Sequence, residues 1–189
     1  MRTIVGGGSN ANNYPNLTGY VPKIYDVAGG HTYTVPANCS KIYVLAFGAG
    51  GSGGYSSSQV GTGGGGGGFA AGFISVSGGQ NISINVGAGG APQTTNGQDG
   101  NAGGSTSVGN YMSATGGGGG KSAAFQNTDG GAGGAGSIDD TTNVASYVTA
   151  NGGRGGQWID DTSLGSYCLT GGGNSGSLLG DGGNGGDCM

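Results

Sequence analysis

Alternating apolar and polar positions mark a few strand-length segments, and no stretch of the chain carries a helical period. Thr32-Tyr33-Thr34-Val35-Pro36 alternates and is rich in β-formers, so it predicts a strand that ends in a turn through Ala37-Asn38-Cys39-Ser40. Lys41–Phe47 alternates as well, but both of its faces are apolar. Ile42, Val44 and Ala46 lie on one face and Tyr43, Leu45 and Phe47 on the other, which predicts a strand buried on both sides. Phe69–Val76 and Ile82–Val86 read as the two arms of a hairpin turned by Ser77-Gly78-Gly79-Gln80-Asn81. In its second arm Ile82, Ile84 and Val86 share one face, the half-buried pattern. Further short strands are expected at Ser105–Val108 and Tyr111–Ala114. Tyr43, Phe47, Phe69 and Phe73 are expected in the core.

Beyond residue 115 the pattern changes. Glycine tracts at Gly116–Gly120, Gly130–Gly136, Gly152–Gly156, Gly171–Gly176 and Gly180–Gly186 alternate with the excursions Lys121–Asp129, Ser137–Asn151 and Gln157–Thr170. Two excursions are related: Ile138-Asp139-Asp140-Thr141 followed by Ser146-Tyr147, and Ile159-Asp160-Asp161-Thr162 followed by Ser166-Tyr167. Such recurrence points to a repeat architecture with one pass of the chain per unit. The expected organisation is an attachment segment over 1–30, a glycine-rich β domain over 31–115, and glycine repeats with loop excursions over 116–189.

Composition sharpens this picture. Glycine supplies 53 of 189 residues, while hydrophobic residues make up 33% and charged residues 7%; a large leucine-rich core and a charge-expanded coil are both excluded. Five Lys+Arg and a net charge of −4 are wrong for tracking phosphates, so nucleic acid is not an expected partner. A continuous tract such as Gly63–Gly68 has no side chain to offset its ordering cost, so it either stays a flexible linker or pairs its backbone densely. Glycine can adopt the polyproline II conformation, and bare helices of that kind can approach closely enough to bond one another. Collagen is excluded by the lack of a sustained Gly-X-Y period and by only 4 prolines. The tyrosines, tryptophan and repeat in the excursions argue against a linker. The expected fold class is therefore mostly β with irregular structure, antiparallel strands plus packed polyglycine II helices, and essentially no α-helix.

The order of several phrases carries a resemblance. Thr32–Ala37 leads into Lys41–Gly51, a glycine run meets Gly68–Gln80, and then come Ile84–Ala91 and Ser113–Gly120. This order resembles the glycine-rich domains of phage tail and tail-fibre proteins and covers about Thr32 to Gly136. The later part is similar in style to the tips of T-even-type tail-fibre adhesins, in which glycine tracts form packed polyglycine II helices and the loops between them touch the receptor. The resemblance implies a virion protein whose partners are other virion proteins and a bacterial surface receptor. It transfers no individual residue, and the thirty or so residues before the glycine-rich part are short beside the docking part of those adhesins. A minor capsid, decoration or tail protein with no receptor role is the alternative. An ice-binding protein would need a flat, regular Ala/Thr face, which the uneven tracts do not offer.

No enzyme is expected. His31, the single histidine, stands beside a glycine pair with no nucleophile near it in sequence. Gly116–Gly120 followed by Lys121-Ser122 mimics a phosphate-binding loop, but no helical pattern follows. No cofactor is expected. The pairs Asp139-Asp140 and Asp160-Asp161 are weak calcium candidates; they lack a complete ligand loop and suit turns better. The residues expected to contact a receptor or partner are Tyr55, Phe125, Tyr147, Trp158 and Tyr167, because such rings give a large contact area at low entropy cost. For Trp158, capping the glycine bundle as core is an equal reading. The adhesin reading expects the excursions Tyr55–Gln59, Ala91–Gln98, Lys121–Asp129, Ser137–Asn151 and Gln157–Thr170 to gather at one end. Cys39, Cys168 and Cys188 allow one bridge, Cys168 to Cys188, or three free thiols. The opening residues lack the apolar run of a secretory signal, and no stretch reaches the length of a membrane span. A cytosol-made, unprocessed chain is expected, with the virion as its location and no insertion into membranes.

Overall fold

The computed structural model describes residues 2–4, 20–57, 61–122, 128–157 and 170–187. These residues form ten strands and no helix. The strands are β1 (Arg2–Ile4), β2 (Lys23–Ile24), β3 (Gly29–Thr34), β4 (Lys41–Phe47), β5 (Phe69–Ser75), β6 (Asn81–Val86), β7 (Thr106–Val108), β8 (Met112–Ala114), β9 (Gly136–Ile138) and β10 (Val144–Ala150). One sheet has the order β10-β5-β4-β1-β2 and the other β3-β6-β7-β8-β9, with every pairing antiparallel.

The two sheets pack face to face. Ile42, Val44, Ala46, Ala70, Ile74 and Val144 of the first meet Ile82, Ile84, Val86, Val108, Met112 and Ala114 of the second in one buried cluster. β4 is buried on both faces, as its doubly apolar sequence predicts. Its other face puts Tyr43 and Leu45 with Phe69, Ala71 and Ala150, covered by Tyr20 and Leu178. β6 alternates exposed and buried as expected, and β7 pairs with β8.

The expected hairpin of Phe69–Val76 with Ile82–Val86 does not form. β5 pairs with β4 and β10, whereas β6 pairs with β3 and β7. Ser77–Asn81 is thus a crossing between sheets. Ile74 and Ile84 must both reach one core, and facing sheets let them do so from opposite sides. Phe47 is also a correction: it closes the end of β4 against Phe69 (centroids 4.8 Å) but is 36% exposed. The excursion Ser137–Asn151 is largely regular, since it supplies part of β9 and all of β10, which pairs with β5. The two sheets therefore draw on the chain on both sides of residue 115.

Glycine segments prolong the strands. β4, β6, β8 and β10 run out into residues 48–54, 87–90, 115–121 and 151–157; residues 61–68, 99–105 and 128–135 return into β5, β7 and β9. Residues 170–176 return to a turn at Ser177–Gly180, and 181–187 run out again. The segments bond one another through backbone groups three residues apart. Gly48, Gly51 and Gly54 donate to the Gly68, Gly65 and Thr62 carbonyls in antiparallel order, at 2.9, 2.9 and 3.1 Å. Thr62, Gly65 and Gly68 donate in turn to Lys121, Gly118 and Thr115. Gly131 and Gly134 donate to Gly63 and Gly66, and Gly173 and Gly176 to Gly64 and Gly67.

Gly63–Gly68 is thus buried inside a lattice of other segments. Its buried backbone finds the partners it requires. A Cβ on Gly65 would stand 1.9 Å from the Ala132 carbonyl oxygen, and one on Gly67 2.0 Å from that of Gly48. Only glycine allows backbones to come this close.

Candidate functional site

Strands hold one end of the glycine segments up to residue 157, the turn at Ser177–Gly180 joins the last two, and the opposite ends lie together. There the Tyr55 N–H donates to the Gln98 carbonyl at 3.0 Å, the Gly97 N–H donates to the Tyr55 carbonyl at 3.0 Å, and the Ser57 N–H donates to Asn96 Oδ1 at 2.6 Å. These bonds join the Tyr55–Gln59 and Ala91–Gln98 excursions. Lys121 Nζ meets Asp99 Oδ2 at 2.7 Å, and the Ser122 N–H donates to Asp99 Oδ1 at 2.9 Å. Hydrogen bonds from Lys121 and Ser122 hold the Asp99 carboxyl below the usual carboxylate range. This pair is about half exposed, so it contributes under about 1 kcal/mol.

A buried threonine ties in the third excursion. Thr62 Oγ1 accepts the Lys121 N–H at 2.7 Å and donates to the Asp129 carbonyl at 3.2 Å. The fourth joins through Thr170, whose hydroxyl donates to the Gly61 carbonyl at 3.4 Å. Arg154 reaches Asp129 at 3.6 Å and Asp187 at 3.4 Å. The described residues flanking the Tyr55–Gln59, Ala91–Gln98, Lys121–Asp129 and Gln157–Thr170 excursions therefore lie together at the end opposite the sheets.

Of the expected contact residues, Tyr55 is in this region and 41% exposed. Phe125, Trp158 and Tyr167 lie outside the described residues, as does the second repeat copy with Asp160 and Asp161. Tyr147 does not join Tyr55. It sits in β10, 50% exposed, beside Ser146, whose φ of 49° marks a bulge where the register with β5 shifts. Asp140 organises the turn before β10: its Oδ1 accepts the Thr142 and Asn143 N–H groups at 3.0 and 3.1 Å. Those bonds, with the Asn143 amide at 2.7 Å, lower its carboxyl pKa. Asp139 accepts a bond from the Ser137 hydroxyl at 2.7 Å. Among the described residues no group of three or more His, Cys, Asp or Glu is placed to hold a metal ion. His31 stacks near Tyr25 (centroids 5.2 Å), with Nε2 2.8 Å from the Val27 carbonyl. Cys39 is a free thiol; Cys168 and Cys188 lie outside the described residues. Among the described residues no helix is long and apolar enough to cross a membrane.

A family model described as a glycine-rich domain matches residues 26–188. The chain belongs to the glycine-rich domain family. The match takes in β3 to β10 and all the glycine segments, while β1 and β2 precede it. No curated protein matches the chain significantly.

The convergence brings in residues that the sequence reading left out. Asn96, Gln98, Asp99 and Thr62 stand in the region beside Tyr55, and Asp187 closes the row from Arg154. Their sequence signal is position: each lies at or within a few residues of the outer end of a glycine segment.

Proposed function

We propose that this member of the glycine-rich domain family is a virion structural protein, acting as the tip adhesin of a phage tail fibre or spike. On this reading it is not an enzyme and needs no cofactor; it contacts the host-cell surface through the excursions between glycine segments. The observation that carries the reading is the convergence of four excursion bases at the end opposite the sheets, with Tyr55 exposed among them. A rigid backbone lattice is a suitable support for such a surface, because contact loops gain affinity when their bases are held. We further propose that the segments are polyglycine II helices. Bonding partners that recur every third residue support this, three residues being one turn of that helix.

One observation favours the alternative, a minor capsid, decoration or tail protein bound only to other virion subunits. Val21, Ile24 and Val27 expose 79%, 47% and 67% of their surface in and around β2, at a sheet edge. Such a row suits a protein partner. On the adhesin reading the same row docks on the fibre.

The test is binding of the purified full chain to intact bacteria and, separately, to virions lacking it. Saturable binding to cells supports the adhesin. Binding to virions with none to any cell tested sinks the adhesin and leaves the structural reading.

A further inference from the structure

The charges of the chain are divided between its two ends. Of the five Lys+Arg, Arg2, Lys23 and Lys41 belong to strands of the first sheet. The other two, Lys121 and Arg154, belong to the glycine segments, and both are engaged. Lys121 faces Asp99, and Arg154 faces Asp129 and Asp187. Two cations thus meet three carboxylates there, and no described cation at that end is left for an incoming phosphate, sulfate or carboxylate. The surrounding excursions contain no other Lys or Arg.

Among the described residues, this end presents one exposed aromatic ring among small polar groups. Tyr55 is 41% exposed, and its backbone is fixed by the bonds to Gln98 and Gly97. Asn96, Gln98 and Ser57 are exposed beside it. A ring of this kind packs on the C–H face of a sugar, while amides and hydroxyls exchange hydrogen bonds with its hydroxyl groups. An anionic ligand would meet a protein of net charge −4 whose two described cations at this end are already paired with carboxylates. Among the described residues, the other large exposed hydrophobic side chains lie in or beside the strands and the turn at Ser177–Gly180, so none of them forms an apolar patch with Tyr55.

We infer that the glycine-lattice end binds an uncharged glycan, with Tyr55 as its stacking platform. The inference rests on the adhesin reading above and narrows its receptor to a class.

The test uses the full chain in native gels containing dextran, mannan, galactan or dextran sulfate, and on cells treated with periodate or with protease. Retardation is expected in at least one neutral gel and none in dextran sulfate. Tyr55→Ala should weaken retardation about tenfold, the scale of one aromatic contact, and Tyr55→Phe should stay close to the parent. Cell binding should be lost after periodate, which cleaves vicinal diols, and survive protease. Periodate-sensitive binding without retardation in these gels also supports the inference, with a different neutral sugar as ligand. Loss to protease but not to periodate overturns the glycan and leaves the adhesin standing. Retardation by dextran sulfate, or retardation that Tyr55→Ala leaves unchanged, overturns the inference as well. Absence of binding to every cell type and every neutral gel overturns both readings.

Discussion

The carboxylate of Asp181 accepts the backbone N–H of Asn151 at 2.6 Å, thirty residues away, and the same offset repeats twice. Asn184 accepts from Arg154 at 3.0 Å, and Asp187 from Gln157 at 2.8 Å. The three acceptors are three residues apart and so are the three donors. These side-chain bonds alternate with the backbone bonds that Gly182 and Gly185 donate to the Asn151 and Arg154 carbonyls at 2.8 and 2.9 Å, so residues 181–187 hold residues 151–157 through both kinds of group.

This ladder should hold the last glycine segment in place. Asp181→Ala, Asn184→Ala and Asp187→Ala together remove three bonds of about 1 kcal/mol each. The expected result is faster amide exchange in residues 171–187, with the strands still protected. Equal loosening of the strands would show that the segment is part of one cooperative unit instead.

Glycines in the lattice should differ sharply in their tolerance of a methyl group. Gly65→Ala places a carbon 1.9 Å from the Ala132 carbonyl oxygen, a clash between two backbones that no side-chain rotation relieves. A loss of about 3 kcal/mol or more is expected. Gly89→Ala meets nothing within 4 Å and should be neutral or slightly stabilising, by up to about 0.5 kcal/mol. Denaturant unfolding of the two variants measures the contrast, and similar stabilities would refute the close packing.

Acid should loosen the contact between Asp99, Lys121 and Ser122. The folded carboxyl titrates below its unfolded value of about 3.9, so its contribution is complete above that pH. It is lost as pH falls through the lower, folded value. The stability gap between the parent and Asp99→Asn should therefore be constant above about pH 5 and shrink below about pH 4. Thermal unfolding across that range reads it; a gap that widens on acidification would contradict the assignment.

Much of the glycine lattice was legible in the chain. The segments read A49-GG-S52-GG-Y55, D129-GG-A132-GG-A135, N151-GG-R154-GG-Q157 and D181-GG-N184-GG-D187, one side chain every third position. Gly63–Gly68, with no side chain, is the enclosed segment. A period of three therefore distinguishes a segment with a free side from one surrounded by backbone, and the sequence reading took only the tracts and missed this period. The strands were legible too, since alternation directly reports faces: β4 and β6 are buried as their patterns require. Tyr147 falls in a strand and not in a loop; a loop-like composition around Asp139-Asp140 hid the strand Val144–Ala150, which is interrupted by the bulge at Ser146.

The sequence by itself determined the strands β3 to β8, which segments are bare backbone, and that cations are scarce. Those are local properties, set by side-chain periodicity and by the absence of side chains. Only the tertiary structure decided which strands share a sheet and which excursions meet. A five-residue link such as Ser77–Asn81 can turn a hairpin or cross between sheets, and nothing within it chooses. The choice lies in the common core of Ile74 and Ile84. Likewise Thr170 meets Gly61 across 109 positions because Gly63–Gly68, which follow Gly61, have no side chains to keep residues 170–176 away: a Cβ on Gly63 or Gly66 would stand 2.0 Å from the Gly171 or Asn174 carbonyl oxygen.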